Sequence, residues 1–214
     1  MTEAEWAVAT NPGPLLAFAR DGLSDRKLRL FACAVLRRML RFTDLQHVGF
    51  AVAVSERFAD GEAASEEMRE AETAASMLWS EFHLPGPVSA KSSLGLVAGG
   101  ARQITRRNAV KVVWEIENIA DLGGVRGHLR SSLFRDIVGP LPFRPVTFSP
   151  AWLTSAAVGI ATGIYDDRAF DRLPILADAL QDAGCEDADI LAHCRGDGPH
   201  ARGCWVVDRV LGKE

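Results

Sequence analysis

The chain has 214 residues, of which 48% are hydrophobic and 24% charged, and its 28 acidic and 24 basic residues give a formal charge of −4. This composition is typical of a folded globular protein, and it excludes a disordered tail and a disulfide-stapled miniprotein. The opening residues include Glu3, Glu5 and Pro14, where a secretory signal needs a basic start and an unbroken apolar stretch. We therefore expect a cytoplasmic protein without a membrane-spanning segment, in which the cysteines stay reduced.

The spacing of apolar residues is helical along most of the chain, and no alternating run of β-branched residues predicts a strand. In chain order, helices are predicted over about 3–9, 14–20, 24–42, 44–59, 62–83, 90–122, 129–137, 150–165, 173–183, 186–193 and 203–211. The segment 90–122 is weakened as a helix at Gly99 and Gly100. The predicted fold class is all-α, with a multi-helix body and a compact C-terminal helical module.

A Gly- and Pro-rich stretch suggests where the chain divides. It contains Gly139, Pro140, Pro142, Pro145 and Pro150, and such a stretch is typical of a linker or an extended strap. We predict an N-terminal helical body over 1–138, a Pro-rich strap over 139–150 and a C-terminal helical module over 151–214. One continuous domain is the alternative.

Several segments carry a family resemblance. They are MTEAEW at the start, SDRKLRLFACAVLRR (24–38), FRPVTFSPAWLTS (143–155), RAFDRLPILADALQDAGCEDADILAHCR (168–195) and PHARGCWVVDRVLGKE (199–214). Together they resemble an expanded paralogous family of uncharacterised planctomycete proteins, whereas residues 75–125 depart from the Ala-rich helix of such relatives. The resemblance implies a soluble bacterial protein whose C-terminal module also occurs attached to other domains. It supplies no catalytic residues.

Cysteine and histidine concentrate near the end of the chain, at Cys185, His193, Cys194, His200 and Cys204. Zinc takes four such ligands in tetrahedral geometry, and the loop RGDGP (195–199) lets the chain fold back around an ion. The spacing is not that of a CxxC knuckle. Adjacent residues also diverge by about 100° in a regular helix, so His193 and Cys194 share one ion only at a frayed helix end. Zinc is the one cofactor that the sequence suggests.

Two other interpretations of this cluster stay open. Free cysteine behaves as a small buried hydrophobe, and Cys204 precedes the apolar residues Trp205, Val206 and Val207, so the cluster could simply be core. Alternatively, Cys194 or Cys204 could be a catalytic thiol activated by a neighbouring histidine. No oxyanion device or nucleophile elbow accompanies such a thiol.

The helix predicted over 24–42 has a basic face opposite its apolar one. Its members are Arg26, Lys27, Arg29, Arg37, Arg38 and Arg41. Such a face can contact phosphates or an acidic partner, but the acid-rich helix predicted over 62–83 can also pair with it. The basic face is therefore a candidate contact surface for nucleic acid or for a protein.

The sequence contains no complete catalytic constellation, while its helices are clearly amphipathic. The leading hypothesis is therefore a non-enzymatic protein-interaction or adaptor module, with an unidentified partner and no assigned catalytic residue. The first alternative is a zinc-binding protein or metalloenzyme that uses the C-terminal Cys/His cluster. The second is nucleic-acid binding through the basic face.

Overall fold

The computed structural model describes residues 1–40, 46–82, 93–106, 108–140, 143 and 146–213. These residues form α-helices joined by turns and short 3₁₀ segments, and they contain no strand. The predicted all-α class is confirmed. None of the described helices combines the length and the apolar character that crossing a bilayer requires.

Twelve α-helices lie within the described residues. Their bounds are α1 (Glu3–Val8), α2 (Pro12–Ala19), α3 (Asp25–Leu40), α4 (Gln46–Ala59), α5 (Ser65–Phe82), α6 (Ser93–Ile104), α7 (Ala109–Leu122), α8 (Gly127–Val138), α9 (Ser155–Asp167), α10 (Leu173–Asp182), α11 (Ala188–Arg195) and α12 (Trp205–Leu211). The 3₁₀ segments are Arg20–Gly22, Pro150–Trp152 and Phe170–Arg172.

The segment predicted as one helix over 90–122 contains two helices, α6 and α7. The break lies at Asn108, whose side-chain oxygen accepts a hydrogen bond from the amide of Lys111 at 2.9 Å and so caps the start of α7. Gly100 lies inside α6, where a Cβ would come within 2.7 Å of Leu36 Cδ1. This glycine therefore permits close helix packing and does not end the helix.

The chain divides into two compact units, an N-terminal unit of residues 9–131 and a C-terminal unit of residues 132–214 together with 1–8. The division lies within α8, whereas the sequence placed it at the strap over 139–150. Part of that strap, including Pro142 and Pro145, lies outside the described residues. Residues 1–8 belong to the C-terminal unit because Trp6 packs against α8. The ring centroids of Trp6 and Phe134 lie 5.8 Å apart, and the backbone carbonyl of Trp6 accepts a hydrogen bond from Arg135.

The N-terminal unit is built around α3, which packs against α4, α6 and α7. Its apolar residues are buried, but so is Arg29, which is only 3% exposed. Arg29 Nη1 donates to the carbonyl of Ile104 at 2.6 Å, and the Ser55 hydroxyl donates to the same oxygen at 3.0 Å. Ile104 is the last residue of α6, so two side chains satisfy a carbonyl that the helix itself leaves without a partner.

In the C-terminal unit, α9 packs against α10 and α12, and α11 packs against α10 and α12. Asp187 begins α11 by accepting hydrogen bonds from the amides of Asp189 and Ile190 at 2.9 and 3.1 Å. At its other end, the last turn of α11 lies beside the start of α12, where His193 and Cys204 come into contact. This arrangement positions the candidate site.

Candidate metal centre

Four side chains from separate parts of the C-terminal unit converge on one point. Asp136 lies in α8, His193 in α11, His200 in the following loop, and Cys204 at the residue that precedes α12. Each offers one potential ligand atom, and these four atoms lie within 4.8 Å of one another. This separation places all four donor atoms around a space of the size of one metal ion.

The distances within the group show which atoms meet. His193 Nε2 lies 3.1 Å from Cys204 Sγ and 3.3 Å from Asp136 Oδ1. The same carboxylate oxygen lies 2.7 Å from His200 Nδ1. The two imidazole rings pack edge to face, with their centroids 4.9 Å apart. One oxygen of Asp136 is therefore shared by both histidines.

The group is more buried on one side than on the other. The Cys204 residue is fully buried and the Asp136 side chain is 3% exposed, whereas the side chains of His193 and His200 are 17% and 9% exposed. The two histidines also line a pocket of about 270 Å³. Asp136 also lines this pocket, so the thiol forms the inner wall of the site, and the two imidazoles and the carboxylate form the wall that faces the pocket.

The local electrostatics keep Asp136 ionised and Cys204 neutral when no cation is bound. Burial by itself raises the pKa of Asp136, but hydrogen bonds and charge from His193 and His200 outweigh it and hold the pKa below its ordinary value. Burial raises the pKa of the Cys204 thiol well above its ordinary range, and the Asp136 charge raises it further. Cation binding at this point would therefore release the thiol proton.

The loop between α11 and α12 is shaped so that it returns to α8. Gly198 has a φ of 81°, in the left-handed region that favours glycine, and a Cβ there would lie 2.9 Å from the amide nitrogen of His200. His200 Nδ1 meets Asp136 Oδ1, and the amide of the next residue, Ala201, donates to Asp136 Oδ2 at 2.9 Å. Both carboxylate oxygens of Asp136 are thus engaged by this loop.

The structure brings together His193, His200 and Cys204 from the five residues that the sequence predicts as metal ligands. The remaining two, Cys185 and Cys194, are fully buried among the apolar residues of the C-terminal unit. Burial raises the pKa of the Cys194 thiol to about 12. Since His193 and Cys194 are neighbours on α11, only His193 points toward the group, as the angle between adjacent helical residues requires.

Sequence reasoning missed Asp136, which is 64 residues from His200 along the chain. A signal for it exists, because Asp136 lies three residues after Leu133 and next to Ile137, on the buried face of α8. A carboxylate at such a position is rarely buried without a partner. No sequence pattern, however, indicates which partner it has.

The geometry is unlike that of a catalytic thiol. In a Cys-His-Asp arrangement, the thiol and the carboxylate contact opposite nitrogens of the imidazole. Here, the single Nε2 atom of His193 faces both Cys204 Sγ and Asp136 Oδ1. Cys204 is also fully buried, and it does not line the neighbouring pocket. Convergence on one point is the pattern of a cation site.

The predicted basic face on α3 is partly used within the N-terminal unit. Arg26 contacts Asp60 at 2.8 Å, Arg37 donates to both carboxylate oxygens of Glu56, and Arg29 is buried as described above. These acids lie in α4 and directly after it, not in the acid-rich α5. Lys27 and Arg38 lie on the same helix, and Arg41 lies outside the described residues. Nucleic-acid binding by this face stays a prediction.

No protein-family model matches the chain, and neither a curated protein nor a solved structure matches it. The resemblance to planctomycete proteins therefore stays a prediction, and function must be argued from the chemistry of the residues.

Proposed function

We propose that the C-terminal unit is a zinc-binding unit, in which His193, His200 and Cys204 bind the ion and Asp136 completes the site. The observation that carries this proposal is the convergence of the four donor atoms within 4.8 Å. A thiolate, two imidazoles and a carboxylate are the ligand types that zinc takes in proteins.

The distances around His193 are close to those of a zinc tetrahedron, whereas the limit of 4.8 Å on the separation of the four donor atoms is wider. Bonds of 2.0 to 2.3 Å to zinc place neighbouring ligand atoms about 3.3 to 3.7 Å apart. The 3.1 and 3.3 Å separations around His193 Nε2 are near this range. The 2.7 Å separation between His200 Nδ1 and Asp136 Oδ1 is that of a hydrogen bond. Zinc binding through both atoms moves them apart by roughly half an ångström.

The proposed ion stabilises the C-terminal unit. Its ligands come from α8, α11, the loop over 196–203 and the residue that precedes α12, so one ion connects elements that are distant along the chain. Binding energy at such a site becomes folding energy, because the unfolded chain has no preformed site. Contacts with a protein partner, the leading hypothesis from the sequence, stay a prediction beside this proposal.

Elemental analysis of protein purified without added metal tests the proposal. We expect about one equivalent of zinc per chain, and its loss in Cys204→Ala and His193→Ala. Cys33→Ala and His128→Ala are the matched controls, because they remove the same groups from the N-terminal unit and should keep the zinc. Less than about a tenth of an equivalent in the unaltered protein, before and after incubation with zinc, would contradict the proposal.

The ligand set is tested by replacing zinc with cobalt(II), whose absorption spectrum reports a bound thiolate. We expect the thiolate band to disappear in Cys204→Ser and to persist in Cys185→Ser and Cys194→Ser. Asp136→Asn should weaken binding by about 10-fold or more, because a neutral amide replaces the anionic carboxylate that completes the site. A thiolate band that disappears in Cys194→Ser would show instead that Cys194 is a ligand.

A further inference from the structure

The pocket beside the candidate metal centre gives it a solvent-facing side. Its lining includes Arg135, Asp136, His193, Asp197 and His200. Since both histidines and Asp136 form part of its wall, a molecule in the pocket would reach the ion from the side of these three ligands, and Cys204 lies on the buried side. Zinc in catalytic sites can expand to five-coordination, so a ligand that enters from this pocket would bind the ion as a fifth ligand.

The charges around the pocket favour a single negative charge. A zinc ion bound by the Asp136 carboxylate and the Cys204 thiolate, with two neutral imidazoles, has no net charge. Arg135 adds a positive charge to the pocket wall, and its Nη1 atom is held by the Trp6 carbonyl at 2.9 Å. Asp197 also lines the pocket but is exposed, so water screens its charge more strongly.

The volume of the pocket and the planar shape of the Arg135 guanidinium further restrict the kind of ligand that fits. At about 270 Å³, the pocket is at or below the lower end of the range for small-molecule sites, so only a ligand of few atoms fits. The planar guanidinium of an arginine matches the two oxygens of a carboxylate.

We infer that this pocket binds a small carboxylate, with its oxygens placed between the metal ion and Arg135. This inference rests on the proposed zinc centre and adds an exchangeable ligand position to it. The carboxylate would approach from the side that His193, His200 and Asp136 share with the pocket, while Cys204 holds the ion from the buried side.

The test uses the full chain loaded with cobalt(II), with acetate as the probe. Acetate should change the cobalt absorption bands in a saturable way, because a fifth ligand alters the coordination geometry. Arg135→Gln should raise the acetate Kd by about 10-fold, the loss expected for one charge-assisted hydrogen bond, and Arg135→Lys should raise it less. Arg172→Gln, which removes an exposed arginine of the same unit outside the pocket, is the control and should leave the Kd unchanged.

The outcomes separate the two proposals. If cobalt and zinc fail to bind the unaltered protein, the zinc centre and this inference are both overturned. If cobalt binds and its spectrum does not respond to acetate, the carboxylate position is overturned and the zinc centre stands. An acetate response with the same Kd in Arg135→Gln, at unchanged cobalt stoichiometry, overturns the assignment of Arg135. Because Arg135 also holds Trp6, cobalt stoichiometry serves as the check that each variant is folded.

Discussion

The two units bury polar groups in different ways. In the N-terminal unit, the buried cation Arg29 donates to a helix-end carbonyl, and Arg130 donates to the carboxylate of Glu117 at 2.9 Å. In the C-terminal unit, the buried carboxylate of Asp136 meets two imidazoles, one of which also contacts a thiol. Arg29 and Arg130 donate to fixed acceptors, although the buried atoms Arg130 Nε and Glu117 Oε1 have no hydrogen-bond partner among the described residues. In the second set, every group is of a type that also binds metal ions. This difference supports the proposed binding role of the second set.

Zinc removal should produce the largest difference in stability between the two units. At zinc concentrations near 1,000 times the Kd, the ion stabilises the state that binds it by about 4 kcal/mol. A chelator should therefore increase amide hydrogen exchange in 132–138 and 188–211 and leave the peptides of 25–40 and 109–122 unchanged. Equal changes in both units, measured by mass spectrometry, would contradict a role confined to the C-terminal unit.

The pH dependence of stability should differ between the units. Burial raises the pKa of Glu117 from 4.5 to about 7, although the charge of Arg130 acts in the opposite direction. The folded state therefore binds this proton more tightly than the unfolded state does, so stability falls as the pH rises from about 4.5 to 7. The loss is at most about 3 kcal/mol.

Urea unfolding of the unaltered protein and of Glu117→Gln at pH 5 and pH 8 measures this contribution. The variant should lose less stability between the two pH values than the unaltered protein. Glu115→Gln, the same change on the same helix, is the control. Zinc affinity should change in the opposite direction and rise with pH, because the ligands must lose protons before they bind. Identical pH profiles for Glu117→Gln and the unaltered protein would rule out the Glu117 effect.

Replacing the buried Arg29 tests the packing of the N-terminal unit. Arg29→Met keeps most of the aliphatic stem but removes the donor to the Ile104 carbonyl, so we expect a loss of about 2 kcal/mol in the free energy of unfolding. Arg69→Met, at an exposed arginine paired with Glu66, should cost less than about 0.5 kcal/mol. Zinc stoichiometry should be unchanged in both. Equal losses in the two variants would mean that burial of Arg29 adds nothing.

Two helical glycines provide the smallest and most local comparison. Gly100→Ala places a Cβ 2.7 Å from Leu36 Cδ1 and should destabilise the N-terminal unit by about 1 to 3 kcal/mol. Gly159→Ala in α9 meets no atom within 4 Å and should stabilise the C-terminal unit by about 0.5 to 1 kcal/mol. Thermal unfolding measures both changes, and shifts of the same sign would refute the packing role of Gly100.

Local patterns were sufficient to predict the fold class and most helices. Apolar spacing depends only on nearby residues, so α3, α4 and α12 begin and end close to their predicted bounds. The segment over 90–122 was predicted as one helix weakened at Gly99 and Gly100, whereas the structure begins a new helix at the Asn108 cap. Helix propensity does not show that Gly100 allows two helices to pack closely, because the side chain that it contacts, Leu36, lies on another helix.

The amino-acid sequence by itself determined that the protein is helical and that three of its four cysteines and two of its five histidines lie within residues 185–204, because both properties are local in the chain. Only the tertiary structure decided that Asp136 joins His193, His200 and Cys204 while Cys185 and Cys194 pack into the core. The physical reason is that α8 approaches the end of α11 through packing between distant segments. A donor atom becomes part of a site through its position in space, and spacing along one helix does not encode that position.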